Sequence, residues 1–462
     1  MSPSSHTLLQ PLWAALGGDA AAAAAVRFTG PGALPSAFHT TDLAAASMAA
    51  AGLAVAELRA QAGTGGPAAV AVDRRLASVW FGTSIRPVGW QMPSPWDPIA
   101  GDYAVRDGWV RLHTNAPHHR AAAERVLGRH ADRQGMAGAT AGWTKLALET
   151  AVVGAGGCAA AMHTQEEWAR HPQGQALAAE PLVHWAATDA ARCSGWAPRA
   201  DRPLAGLRVL DLTRVLAGPV GSRFLAGYGA EVLRIDPPDW DEPGVVPEVT
   251  LGKRCARLDL RSPAGRAVLE ELLSSADVLL HGYRGDALER LGLGTAWRRR
   301  VAPGLVDVCH DAYGWSGPWA LRRGFDSLVQ MSCGIAHAGM AWRGATTPVQ
   351  APVPLPVQAL DQATGYLVAA AAVRGLTRRL QAGTGQQARL SLARTAAFLV
   401  EQGRADAEPA FAPESGADLA PGIEATAWGD ARRVAWPVSV VGAPARWELP
   451  AAALGSSPAC WA

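Results

Sequence analysis

The chain has 462 residues, of which 49% are hydrophobic and 18% charged, and 42 Lys+Arg against 40 Asp+Glu leave a net charge of +2. At ~100–200 residues per domain, this length implies two or three folding units with a sizeable core. So small a net charge gives no long-range field for nucleic acid or an anionic membrane.

The N-terminus lacks a basic stretch ahead of its apolar run, and Asp19 follows soon after, so no secretory signal is expected. From residue 41 the chain reads as an Ala-rich helix ending in Arg, a GTG turn, an alternating run at 68–72 and a second helix. The same order returns from Asp361, with QAGTG at 61–65 and again at 381–385. Residues 1–100 are therefore predicted to be a degenerate copy of a helix–strand unit. Residues 101–185 read as a small α/β domain, with a strand in DGWVRLHT, a helix through 121–127 and another after the capping Thr164. The apolar stretch 146–162 contains Glu149 and falls short of the ~20 residues needed to span a bilayer, so no membrane segment is expected there.

Residues 186–202 are the predicted linker. From 203 to 404 short apolar strands alternate with helices, which predicts a Rossmann-like α/β domain with a mostly parallel, doubly wound sheet and a ligand site at the carboxyl ends of its strands. Residues 405–462 supply one return strand and a tail. The six cysteines (Cys158, Cys193, Cys255, Cys309, Cys333, Cys460) form no CxxC pair, which argues against zinc or a disulfide framework and for a reducing cytoplasm. His113, His118 and His119 lack a fourth ligand at useful spacing, so no metal is expected.

Successive segments between 203 and 399 carry a recognisable order: PLAGLRVLDLTRVLAGP, GAEVLRIDPP, GKRCARLDLRSPAGR, ADVLLHGYRGDALERLGLG, YGWSGPW, RRGFDSLVQMSCG, ALDQATG and RLQAGTGQQARLSLARTAAF. In this order and spacing the region resembles the family III CoA-transferases of the formyl-CoA and carnitine CoA-transferase type. Residues 101–183 look like that family's small-domain text, yet here they precede the CoA-binding text. The chain is thus similar to a permuted member, or to a fusion in which 41–185 is the later half of one copy and 203–399 the earlier half of another.

The resemblance implies CoA or an acyl-CoA as substrate, a carboxylic acid as the other reactant, and an interlocked homodimer. It makes Asp361, in Asp361-Gln-Ala-Thr-Gly365, the nucleophile of acyl transfer through an aspartyl anhydride and an enzyme–CoA thioester. A helix N-terminus there would steady developing oxyanions, and Gly365 would allow close approach of backbone or substrate. A plain N-cap is the simpler reading of an Asp at a helix start, and both roles can coexist. In the first copy the equivalent register holds Thr41 followed by Asp42, which predicts a silent copy.

For CoA, the resemblance implies Val215, Leu216 and Ala217 after the first strand, Lys253 and Arg254 as a basic pair, and Gly282, Tyr283 and Arg284. Lys253 attracts notice because Lys145 is its sole companion in the chain. Gly282 stands where the family usually has Asn, which removes one expected CoA contact. His281 and His310 end predicted strands and are read as structural. Phe325 stands where the family's racemases carry a proton-transferring histidine, so transfer is favoured over racemisation, and Asp326 is expected to cap the helix that follows it. The alternatives are a racemase or isomerase of the same superfamily and a non-catalytic CoA-binding subunit.

Overall fold

Seven strands build the central sheet, in the order Lys253–Arg257, Glu231–Asp236, Arg208–Leu212, Val278–His281, Val306–Asp311, Thr384–Ser391 and His184–Ala190. This computed structural model describes residues 4–61, 63, 69–191, 195–344 and 350–462. The first six strands are parallel, each feeding a crossover segment, and the seventh pairs antiparallel with Thr384–Ser391. The chain leaves Arg208–Leu212 toward one edge of the sheet and returns to Val278–His281 on its other side. The crevice for a ligand opens where that reversal occurs, between these two strands. The strands from Arg208–Leu212 to Val306–Asp311 are almost wholly buried, as near-continuous Val and Leu runs require.

The predicted helix–strand–helix unit occurs twice. Helix Thr40–Gln61, strand Val70–Asp73 and helix Arg74–Gly82 match helix Ala359–Ala382, strand Thr384–Ser391 and helix Leu392–Glu401. The first QAGTG and the start of the first alternating run lie largely outside the described residues. Thr40–Gln61 and Ala359–Ala382 pack against each other in the core, which their alanine-rich surfaces allow, and both are buried over most of their length. Thr40–Gln61 is apolar and long enough by composition to cross a membrane, a feature the sequence reading missed by looking at 146–162; 83% of its most apolar window is buried inside the molecule.

Each copy's central strand has the same neighbours. Val70–Asp73 lies between a parallel strand, Arg27–Thr29, and an antiparallel one, Val438–Val440. Thr384–Ser391 lies between parallel Val306–Asp311 and antiparallel His184–Ala190. The antiparallel strands are exchanged: His184–Ala190 follows the first copy in sequence but completes the second, and Val438–Val440 does the reverse. His184–Ala190 enters the segment predicted to be a linker from residue 186, because the edge of the second copy's sheet pairs its backbone. Between the copies, hairpin Gly101–Val105/Gly108–Leu112 and strand Ala159–Ala161 form a separate three-stranded sheet, against which helix Asp326–Ser332 packs.

Candidate active site

A cavity of about 340 Å³ opens at the carboxyl ends of the central strands and is lined by residues at or just beyond the ends of five of them, together with Asp361. Asp361 is the third residue of helix Ala359–Ala382, not its cap. The capping carboxylate belongs to Asp326, fully buried, which accepts the N–H of Leu360 at 2.8 Å and of Asp361 at 2.9 Å and is itself held by Gln330. Asp326 therefore caps the helix of Asp361 rather than the helix it begins, as was expected. Tertiary packing brings a second helix start within reach, and its two free N–H groups take the carboxylate.

Two carboxyl groups thus share one buried site. Burial lifts Asp361 well above the ordinary carboxylate range, and the Asp326 charge raises it further. Burial likewise pushes Asp326 up to about 6, against the bonds from Asp361, Gln330 and Leu360 that favour its ionised form. The pair prefers to hold a proton until the pH rises. Asp42, also third in its helix, shows the contrast. Burial raises its pKa, but hydrogen bonds with His39 and Ser5 and the charge of Arg74 bring it net below the ordinary value. Ser5 donates to Asp42 at 2.6 Å and Arg74 at 3.1 Å, so this carboxylate is consumed by local partners. The structural counterpart of Asp361 is accordingly Asp42 rather than Thr41, since matching backbone bonds, Thr40 N–H to Phe38 and Ala359 N–H to Val357, open both helices.

The loop after strand Arg208–Leu212 brings Val215, Leu216 and Ala217 to the cavity wall. Val215 has φ +65°, costly for a β-branched residue, and its N–H is held by Glu242 at 2.9 Å. Glu242 in turn pairs with buried Arg234. Gly282, Tyr283 and Arg284 line the same cavity, and a Cβ on Gly282 would come within 2.7 Å of the His310 ring. The imidazole therefore fills the place a side chain at 282 would take, and His310, read as structural, is part of the wall. Burial lowers its pKa to about 4, so it is neutral at pH 7.

Sequence reasoning passed over the arginines beside its motifs. Arg214 precedes the Val215 loop and stacks between Trp240 and Tyr283, 4.7 and 4.8 Å from their ring centroids. Arg322 and Arg323 precede Gly324-Phe325-Asp326 and also line the cavity. Their adjacency to the named motifs was the available signal, obscured by the abundance of arginine. Phe325 lies parallel to His113 at 3.7 Å, with His119 edge-on at 5.7 Å. Burial keeps both histidines neutral, His113 well below its ordinary value and His119 near 3.

Three expected positions lie elsewhere. Lys253 is buried, with its Nζ 2.8 Å from the Pro219 carbonyl and 3.2 Å from Asp211, so it ties the sheet to helix Ala217–Gly227 instead of facing a phosphate. Asp211 needs that cation because it is fully buried and also accepts from Thr213 and Ser222. Arg254 turns to the Cys460 carbonyl and Glu231, away from the cavity. Gly365 is a packing glycine: a Cβ there would collide with the Ala217 carbonyl, where the helices carrying Asp361 and the Val215 loop cross.

Residues 204–426 match the family model described as CoA-transferase family III. This segment, a little under half of the chain, is similar to CoA-transferase family III. The segment is similar to "Probable fatty acyl-CoA transferase" of Mycobacterium tuberculosis, 32% identical over 205 residues, and to mouse "Succinyl-CoA:glutarate CoA-transferase", 32% identical over 206 residues. Each alignment covers 41% of this chain, and 50% and 46% of the respective relative. The chain spans about half or less of the length of such relatives. The crystal structure of a hypothetical protein from M. tuberculosis, 28% identical, overlaps 44% of this chain and 58% of its own with a TM-score of 0.37.

Proposed function

We propose that this protein is a CoA-transferase that moves CoA from an acyl-CoA to a carboxylic acid, with Asp361 as nucleophile. The observation that carries this is Asp361 itself: its carboxyl lines the cavity, at the start of a buried helix whose N–H groups are already occupied by Asp326. Among the described residues no cation pairs with Asp361, whereas Arg74 pairs with Asp42.

The reaction balances with this chain's carboxylate alone. Asp361 attacks the thioester carbonyl, the C–S bond breaks, and CoA thiolate leaves an acyl-aspartyl anhydride. The thiolate then attacks the Asp361 carbonyl, releasing the first acid and forming an aspartyl–CoA thioester. An incoming carboxylate attacks that thioester and expels CoA thiolate, which takes the new acyl group and restores Asp361. Arg214, Arg284 and Arg323 supply the positive mouth for the CoA phosphates, and burial together with the charge of Arg323 lowers the pKa of Arg284. Racemisation is disfavoured because Phe325 cannot move a proton. Every residue invoked comes from one chain.

Incubation with acyl-CoA and hydroxylamine is expected to release CoA and leave an aspartyl hydroxamate in the peptide containing residue 361, read by mass spectrometry. If Asp361→Ala transfers CoA as fast as the unaltered protein over a broad acid panel, the assignment is wrong.

A further inference from the structure

We infer that the acyl group handled at this site is small and uncharged, and that a dicarboxylic acyl group is rejected. The inference rests on the reading of the site as one for acyl-CoA. Its basis is a second cavity of about 220 Å³ that meets the Asp361 cavity at Val215, Trp240 and Phe325.

The two ends of the main cavity differ in character. On the Tyr283 side it joins a volume of about 620 Å³ lined by Arg214 and Arg261 and also by Asp236, Asp239, Asp241 and Asp259, whose size rather than its charge suits it to the nucleotide end of CoA. On the Phe325 side lies the smaller cavity, so a thioester carbonyl placed at Asp361 directs its acyl group there. Its rings are Trp96, Trp240, Phe325 and His113, and burial keeps His113 uncharged.

No lysine or arginine is among the described residues lining this cavity. Arg111 and Arg214 stack on Trp96 and Trp240, at 5.0 and 4.7 Å, but neither reaches the lining. The charges that do reach it are negative: Asp97, Asp241 and Glu242. Asp97 is satisfied by Arg120 at 2.9 Å and by Thr114 at 2.8 Å, and Glu242 by Arg234, leaving no free cation to receive a second carboxylate. An acyl group ending in a carboxylate would lose water there and meet only like charge. A cavity with arginines, about 480 Å³ beside Arg111 and Arg133, meets the acyl cavity at Trp96 and Asp97 but shares no lining residue with the Asp361 cavity, and its Arg111 is paired with Asp102 at 2.8 Å. At about 220 Å³ the acyl cavity is also smaller than the ~300–1,000 Å³ of sites for drug-sized ligands, which favours a short branched or cyclic group over a long chain.

The test is binding to the purified protein by calorimetry, with CoA, isobutyryl-CoA and succinyl-CoA as probes, and with Trp96→Ala as the altered protein. Isobutyryl-CoA is expected to bind at least tenfold more tightly than succinyl-CoA, and Trp96→Ala, a change at a partly exposed ring, to erase most of that gap while leaving CoA itself within twofold. Succinyl-CoA binding as tightly as isobutyryl-CoA, with CoA binding intact, overturns the inference and leaves the CoA-transferase reading standing. Failure of CoA and both thioesters to bind overturns the two together.

Discussion

Asp326 offers a way to move the chemistry of Asp361 without touching it. Replacing Asp326 by Ala or by Asn removes the same negative charge, but Asn keeps an oxygen for the N–H groups of Leu360 and Asp361, now bonded at 2.8 and 2.9 Å. The stability difference between the two variants therefore reports chiefly those bonds, reduced by the donor–donor clash that the Asn amide meets at Gln330 Nε2. A buried donor stripped of its acceptor costs ~1–3 kcal/mol, so Asp326→Ala is expected to lie about 2–5 kcal/mol below Asp326→Asn in urea unfolding at pH 7.5. The charge itself acts in the opposite sense. Asp326 is raised to about 6 by burial beside Asp361, so its favourable contribution is full below the unfolded value near 4 and is lost as pH rises through 6. Asp326→Asn should accordingly lose less stability than the unaltered protein between pH 4 and 7. Removing the like charge also eases ionisation of Asp361, which moves the acidic limb of the kcat/KM profile for CoA transfer to lower pH. Equal stability of the Ala and Asn variants, or an acidic limb that stays in place in both, refutes the reasoning.

Three further outcomes are expected. Asp311, whose carboxyl is pushed up to about 8 by burial and by neighbouring Glu180, keeps its proton at neutral pH, so its contribution to stability is lost as pH rises through 8; thermal unfolding of Asp311→Asn between pH 6.5 and 9 should show a flatter decline. Lys253→Met strands the buried Asp211 carboxylate, for which urea unfolding should register a loss of about 3–5 kcal/mol. A well-folded Lys253→Met protein that loses only CoA affinity would restore the phosphate role. Gly365→Ala forces the Asp361 helix away from Ala217, and chemical denaturation should report ~1–3 kcal/mol of overpacking cost together with weaker CoA binding by calorimetry.

The repeat was legible because its signals are local: two Ala-rich helices, two GTG turns, two short strands and two following helices keep their order wherever they fold. The doubly wound sheet was legible for the same reason, since alternating strands and helices from 203 onward leave few topologies open. The exchange of His184–Ala190 and Val438–Val440 was not, because strand pairing depends on which sheet edge is free, and nothing within either strand names its partner.

At the site, sequence could offer Asp361, the 215–217 loop and the 282–284 turn as candidates because each follows or begins an element whose place is set by pattern. Lys253 shows the limit: its rarity marked it out, but whether a cation faces a ligand or a buried carboxylate is decided by groups 42 and 34 residues away, the side chain of Asp211 and the backbone carbonyl of Pro219. The sequence by itself determined the alternation of elements, the internal repeat and a near-neutral chain with one conspicuous lysine. Tertiary structure alone decided that Asp326 caps the helix of Asp361, that Asp42 is consumed by Ser5 and Arg74, and that Phe325 lines both the arginine-bearing Asp361 cavity and a neighbouring one with no lysine or arginine among its described lining residues. Each of these depends on burial and on groups distant in the chain, which fix the charge of a carboxylate only once the fold has removed it from water.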